Sequence, residues 1–348
     1  MLIIILAVVS YVAYVFIAYY RLDDNIELDV TNPENIASEV VVGTEQKVVS
    51  WNIGCGMYLQ DYSFFMDGGE ESRARSKEAV YNSINAMTER MKEENANFYL
   101  LQEVEVDSTK TYGVDETNLV YDAFENYSHT FAQNYDSPYL MYPLNNPIGA
   151  SKAGIVTLSE YNLTSALRRR LDIQTDFAKL LDLDRCYSIS RIPASNGKEL
   201  VLINLHLSAY TTAETIVDKQ LAKLYKDISK EYKAGNYVIC GGDFNIDLLK
   251  ISGELFGVSG GDDVSWCKPF KEENLPDGFS LIAPYNDDDK YASSRNANEA
   301  YNIKTSFRST IDGFIISDNV LLNESNVIET DYMWSDHNPV FMNFTLEG

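Results

Sequence analysis

One stretch constrains the fold of this chain more than any other: Tyr237-Val238-Ile239-Cys240-Gly241-Gly242-Asp243-Phe244-Asn245-Ile246-Asp247. Apolar, β-favouring residues run into two glycines and then a carboxylate, the pattern of a fully buried strand that stops at a tight turn. Residues two apart in an extended segment face the same way, so the turn presents Asp243 and Asn245 together. A carboxylate beside an amide at a rigid strand end suits a hard metal ion held next to a phosphate oxygen. Taken alone, the same residues also describe an Asx turn after a core strand. Partners from elsewhere in the chain decide between the two.

Such partners recur. Val48-Val49-Ser50-Trp51-Asn52-Ile53-Gly54 reads as a strand with Asn52 at its mouth, and Phe98-Tyr99-Leu100-Leu101-Gln102-Glu103 as a second that ends on a carboxylate. Leu200 to His206 delivers a histidine, and the Asn196-Gly197 dipeptide joins it as a hairpin to the run Cys186–Ile192. Thr310 to Ile316 carries Asp312, and Trp334-Ser335-Asp336-His337-Asn338-Pro339-Val340-Phe341 sets an Asp-His pair before a final strand. One helix is expected from Ser72, with Val80, Ile84, Met87 and Met91 on one face. Another is expected from about Thr212, with Ile216, Leu221, Leu224 and Ile228 inward. Residues 250–309 read as loops and short elements that shape the rim of a site, with Asp262-Asp263 and Asp287-Asp288-Asp289 as solvated turns. His129 lacks an acidic or cysteine partner at ligand spacing and reads as a packing histidine. Arg168-Arg169-Arg170 reads as a solvated face paired with acids.

Composition narrows the partners. Lys+Arg 28 against Asp+Glu 52 gives a net charge of −24, which disfavours tight non-specific binding of nucleic acid because that affinity comes from Lys and Arg displacing counterions. The cysteines, Cys55, Cys186, Cys240 and Cys267, show no zinc spacing and no disulfide framework. Residues Met1 to Tyr20 carry no charged side chain, so a transmembrane anchor is expected over 1–21, with Tyr19 and Tyr20 at the interface. Arg21 is the only basic flank, and the acidic Asp23, Asp24, Glu27 and Asp29 that follow it contribute little to orientation; a single-pass membrane protein with the remainder outside the cytoplasm is expected. Residues 22–46 read as an acidic tether, and 47–348 as the catalytic domain.

The ordered set Trp51-Asn52, Gln102-Glu103, Asn204-Leu205-His206-Leu207, Gly242-Asp243-Phe244-Asn245, Ile311-Asp312 and Ser335-Asp336-His337-Asn338-Pro339-Val340 resembles the endonuclease/exonuclease/phosphatase superfamily from about Lys47 to the C-terminus. The resemblance implies a four-layered α/β sandwich, two mixed sheets packed face to face with helices outside, and a site where strand ends of both sheets meet. It implies a phosphoesterase that uses Mg²⁺, or Mn²⁺ in its place, with Glu103 as principal metal ligand and Asn52 beside it. His337 would take a proton from the attacking water and Asp312 would orient it. Asp243 and Asn245 would position water and a phosphate oxygen, His206 would serve the phosphate or the leaving oxygen, and Asp336 would complete the site. Nucleic acid, phospholipid and sugar phosphate remain open as substrates, and no protein partner is implied. The competing expectation is a surface binding or scaffold module that keeps the fold and has lost catalysis. No GxSxG elbow, HExxH helix or Walker A loop supports another chemistry.

Overall fold

A computed structural model describes residues 1–174, 184–209, 214–258, 267–288 and 290–348. Its strands, in chain order, are β1 (Ile26–Leu28), β2 (Val30–Thr31), β3 (Glu45–Asn52), β4 (Phe98–Ser108), β5 (Ser128–Leu140), β6 (Gly149–Ser159), β7 (Ser165–Arg170), β8 (Cys186–Pro193), β9 (Glu199–His206), β10 (Tyr237–Asp243), β11 (Phe279–Ile282), β12 (Ser294–Arg295), β13 (Arg308–Ser309), β14 (Asp312–Ser317), β15 (Val320–Val327) and β16 (Val340–Leu346). The α-helices are α1 (Leu2–Ala18), α2 (Lys77–Glu94), α3 (Glu116–Ala123), α4 (Glu214–Lys233) and α5 (Ser252–Leu255). One seven-stranded mixed sheet runs β1-β7-β8-β9-β10-β14-β11, and a second runs β15-β16-β3-β4-β6-β5-β2.

The strands read as near-continuous apolar runs because both of their faces are covered. On β4, Phe98 and Leu100 point into the core between the sheets with Val48, Leu202, Ile239, Phe314 and Met342. The alternate residues Tyr99 and Leu101 point outward with Trp51, against Val80, Ile84, Met87 and Met91 of α2. On β9, Leu200 and Leu202 face the inter-sheet core, and Val201 and Ile203 pack under Leu224 and Ile228 of α4. The result is the expected sequence of layers: helix, sheet, sheet, helix.

Polar bonds cross the inter-sheet core near the site. Gln102 Nε2 donates to Asn204 Oδ1 at 2.8 Å, and Asn204 Nδ2 donates to the carbonyls of Leu101 and Val156. The hairpin at Asn196-Gly197 joins β8 to β9 with Gly197 at φ +81°. The cap of α2 is Ser76, whose side chain accepts from the Ala79 N–H, rather than Ser72. Thr212 and Asp262-Asp263 lie outside the described residues, as does Asp289.

Two expectations are corrected. Residues 22–46 are not a free tether. Ile26–Leu28 pairs with β7 in one sheet and Val30–Thr31 with β5 in the other, and Val40 is buried between the sheets. Asp24 binds Arg169 at 3.1 Å and Lys223 at 2.6 Å, so the acidic residues neutralise the basic run of β7. The second correction concerns the transmembrane span over residues 1–21. Among the described residues no helix is long and apolar enough to cross a membrane. Helix α1 has 17 residues, about 26 Å of rise against a hydrocarbon core of about 30 Å. Tyr11 and Tyr14 tie it sideways to the end of β5: Tyr11 Oη donates to the Tyr139 carbonyl at 3.2 Å, and the Tyr139 N–H donates to Tyr14 Oη at 3.0 Å.

Candidate active site

Strand register builds the site. Asp243, the last residue of β10, stands opposite His206 on its parallel neighbour β9 and opposite Asp312 on its antiparallel neighbour β14. Three chemical groups therefore share one row at the end of a rigid sheet. The second sheet contributes Asn52 from the end of β3, and Glu103 from β4 at a bulge where the register with β6 shifts between Leu101 and Val104. Glu103 adopts φ +56°, a conformation that costs a glutamate energy and is found where a side chain must be re-aimed. Asn245 has φ +53°, which asparagine tolerates.

The side chains converge. Asn52 Nδ2 donates to Glu103 Oε1 at 3.1 Å and to Asp243 Oδ2 at 3.0 Å, linking the two sheets. His206 Nε2 lies 3.5 Å and His337 Nε2 3.9 Å from the same Asp243 oxygen. The Asn245 N–H donates to Asp243 Oδ1 at 2.8 Å, the Asx geometry foreseen, but Asn245 Nδ2 is turned to the Leu207 carbonyl. His337 Nδ1 bonds Asp312 Oδ2 at 2.8 Å, and Ser293 Oγ donates to that oxygen at 2.7 Å. The loop that carries His337 is pinned on three sides. Trp51 Nε1 donates to the His337 carbonyl, Ser335 Oγ donates to the Asn52 carbonyl, and the Asn338 N–H donates to the Ser293 carbonyl.

Around these groups is a small pocket of about 150 Å³, which Glu103, His206, Asp243, Asn245, Asp336 and His337 line together with Tyr58, Phe64, Arg185 and Arg295. Asn52 and Asp312 stand behind it and act through the side chains they hold. Every residue expected at the site is thus brought to it. His129 is elsewhere, stacked on Tyr121 with ring centroids 3.8 Å apart. Arg295 lines the pocket, whereas Arg308 lines a separate cavity with Tyr301 and Tyr332. Ser293, Arg185 and the aromatic wall were not foreseen, because a single serine, arginine or tyrosine in an irregular segment carries no spacing signal.

Burial governs the electrostatics. It raises the Asp243 carboxyl to about 7, aided by Asp312, while His337 and Asn52 pull the other way. It also raises Asp336, with Glu103 adding to the effect. Burial alone would lower His337, but the carboxylates of Asp312, Asp336 and Asp243 outweigh it and hold that imidazole well above the usual histidine range. His206 moves the other way, because burial, Arg185 and His337 all disfavour its cation. The two histidines are thus shifted in opposite directions.

Crowded, desolvated carboxylates call for a cation, and the oxygens of Glu103 and nearby Asp336 fit a hard divalent ion; Asn52, expected beside the metal, instead braces Glu103 through Nδ2, while its Oδ1 accepts from the Gly54 N–H. Asp243, Asp312 and His337 also have ligand atoms within 4.8 Å of one another. That trio is the weaker metal site, because Asp312 Oδ2 already accepts from Ser293 and partners His337.

Strand ends of two face-packed sheets, an Asp-held histidine and a carboxylate cradle define a metal-dependent hydrolase of phosphoester bonds. The profile of the Endonuclease/Exonuclease/phosphatase family matches residues 49–337, and the chain belongs to that family. No curated protein sequence matches it. Among solved structures, TDP2 of D. rerio complexed with single strand DNA product is 13% identical, with a TM-score of 0.55 over 87% of this chain and 99% of that one. An endonuclease/exonuclease/phosphatase from Beutenbergia cavernae is 14% identical, with a TM-score of 0.54 over 87% and 72%. The human Nocturnin catalytic domain with bound sulfate is 15% identical, with a TM-score of 0.53 over 92% and 97%. At these identities the likeness is one of fold.

Proposed function

We propose that the chain hydrolyses a phosphodiester by in-line attack of water, with His337 as general base. The observation that carries this reading is the convergence of His337 Nε2 and His206 Nε2 on Asp243, with Asp312 holding the far nitrogen of His337. Asp312 fixes the imidazole so that Nε2 faces the pocket and accepts the proton from water, and Ser293 holds Asp312. Asp243 orients that water, and Asn245, whose N–H holds Asp243 Oδ1 and whose Nδ2 donates to the Leu207 carbonyl, keeps the turn that presents Asp243 instead of reaching a phosphate oxygen. His206, kept neutral, offers Nε2–H to the phosphate or the leaving oxygen. Glu103, braced by Asn52 and with Asp336 close by, would hold Mg²⁺ or Mn²⁺, which when bound neutralises charge building on the phosphoryl oxygens.

The substrate we favour is a nucleic acid or a lipid head group. A retired scaffold of the same fold is the reading this displaces, since each group the chemistry needs is present. Turnover of a bis-aryl phosphodiester, abolished by EDTA and by Glu103→Ala, is the expected result, and equal rates with and without chelator would remove the enzyme reading. Single- and double-stranded DNA, RNA, sphingomyelin and inositol phosphates, assayed in parallel, would then separate the substrate classes.

We further propose that the enzyme works at a membrane through residues 1–20, with the domain on the extracytoplasmic face. Support comes from α1, which is exposed and apolar on nearly every face, and from exposed Met141, Tyr142 and Leu144, which extend that apolar surface. Protease digestion of intact cells tests the sidedness, and a protected domain would refute it.

A further inference from the structure

Behind Glu103 lies a buried polar network that the proposed reaction does not use. Cys55 sits in a turn between Gly54 and Gly56 where all three residues have positive φ, at +54°, +53° and +60°. Its Sγ is 3.4 Å from Glu103 Oε2, on the opposite oxygen from the one that Asn52 holds. On the other side of the sulfur is Lys110 Nζ, at 3.1 Å. Lys110 is buried and paired with buried Glu105 at 3.2 Å. Glu105 is held in turn: Thr111 Oγ1 donates to its Oε2 at 2.5 Å, and its N–H donates to buried Glu116 Oε2 at 2.9 Å.

Donor and acceptor chemistry fixes the direction of this chain. An ammonium can only donate, so the Cys55 sulfur accepts from Lys110 and its own S–H is left to point at Glu103. Glu103 thus receives one donor on each oxygen, N–H on Oε1 and S–H on Oε2, which stops the carboxylate rotating and leaves its remaining lone pairs for the pocket. The strained turn serves this end. A Cβ on Gly54 would come within 3.0 Å of Ser335 Oγ and 3.1 Å of Asp336 Oδ1, so the backbone that carries Cys55 is pressed directly beneath the site.

We propose that Cys55, anchored by Lys110, is a positioning residue that locks the Glu103 carboxylate in the orientation that binds the divalent ion. The inference rests on the metal-dependent reading of the site. Groups behind the ligands commonly change metal affinity by about 10- to 100-fold when removed. A thiol does this here in place of the amide or carboxylate more often used.

The test is Mg²⁺ binding to the full chain by calorimetry, for wild type, Cys55→Ala, Cys55→Ser and Glu103→Ala, with near-ultraviolet circular dichroism and Tm to establish that each is folded. Cys55→Ala, which removes the donor, should bind Mg²⁺ about tenfold more weakly. Cys55→Ser, which keeps a donor in the same place, should stay within about threefold of wild type. In infrared spectra, the S–H stretch should shift on adding Mg²⁺ to wild type but not to Glu103→Ala. A folded Cys55→Ala with wild-type affinity would overturn the proposal, as would equal losses in the Ala and Ser variants, which would assign Cys55 to packing alone. Failure of the underlying metal reading has a different signature: Glu103→Ala would then bind Mg²⁺ as wild type does.

Discussion

His337 is surrounded by carboxylates, but only Asp312 reaches its Nδ1, and that difference decides what each can do. A carboxylate at bonding distance fixes the tautomer, whereas those of Asp243 and Asp336 act through charge. His337→Ala should lower the rate by about 10² to 10⁴ with the fold intact, and wild-type turnover would remove it as the base. Because its neighbours hold His337 well above the usual histidine range, and the neutral form is the base, kcat/KM should still be climbing above neutral pH. Asp312→Asn should move that rise to lower pH and lower the plateau, and a pH–rate profile reads both. Asp243 gives a second, thermodynamic signature. Its carboxyl titrates near 7 in the folded chain, against 3.8 ordinarily, so between those values the folded state holds a proton that the unfolded state has lost. Stability of the metal-free protein should therefore fall as pH rises from about 4 to 7. Thermal melts across that window should show the fall in wild type and a flatter profile in Asp243→Asn.

At the scale of the element, the site depends on strands that stop in register. Gly242 makes one of these stops. It has φ +145°, and a Cβ there would lie 2.1 Å from the Leu205 carbonyl oxygen of β9. Gly242→Ala should cost about 1–3 kcal/mol from overcrowding and also displace Asp243 from His206. Gly235→Ala is the control, because it too has positive φ, +88°, yet nothing lies within 4 Å of its Cβ position. A urea melt that ranks the two equally would mean conformational strain alone governs both sites. The strands were legible for the same reason that they are stable: each is buried on both faces, so its apolar run is uninterrupted and the polar residue at its end stands out. The bulge that re-aims Glu103 was not legible, because a register shift depends on the partner strand and leaves no mark in a local pattern. Nor was the Ser293 contact to Asp312, which joins residues 19 apart through a loop without periodicity.

For the whole molecule, the largest departure from expectation is the segment that leads into the domain, residues 22–46. Their acidity suggested solvation, but acidic side chains also neutralise buried cations, and only the fold shows which. Arg168 is buried with its Nη1 on the Asp23 carbonyl, and Asp24 joins β7 to α4 through Arg169 and Lys223. The segment thus staples both sheets, and its removal should be felt everywhere. Three chains test this together with the membrane proposal: the full chain, one lacking residues 1–20, and one lacking 1–46. Loss of 1–20 should leave Tm almost unchanged, because α1 lies exposed on the surface and buries Val15 alone among its described residues. Loss of 1–46 should lower Tm sharply, since it removes two edge strands, the Asp24 ion pairs and buried Val40. Sedimentation with vesicles separates the two roles. A net charge of −24 repels anionic lipid, so phosphatidylcholine vesicles should carry down the full chain and leave the chain lacking 1–20 in solution. Equal sedimentation of both would sink the membrane proposal and leave the stapling role of residues 21–46 untouched.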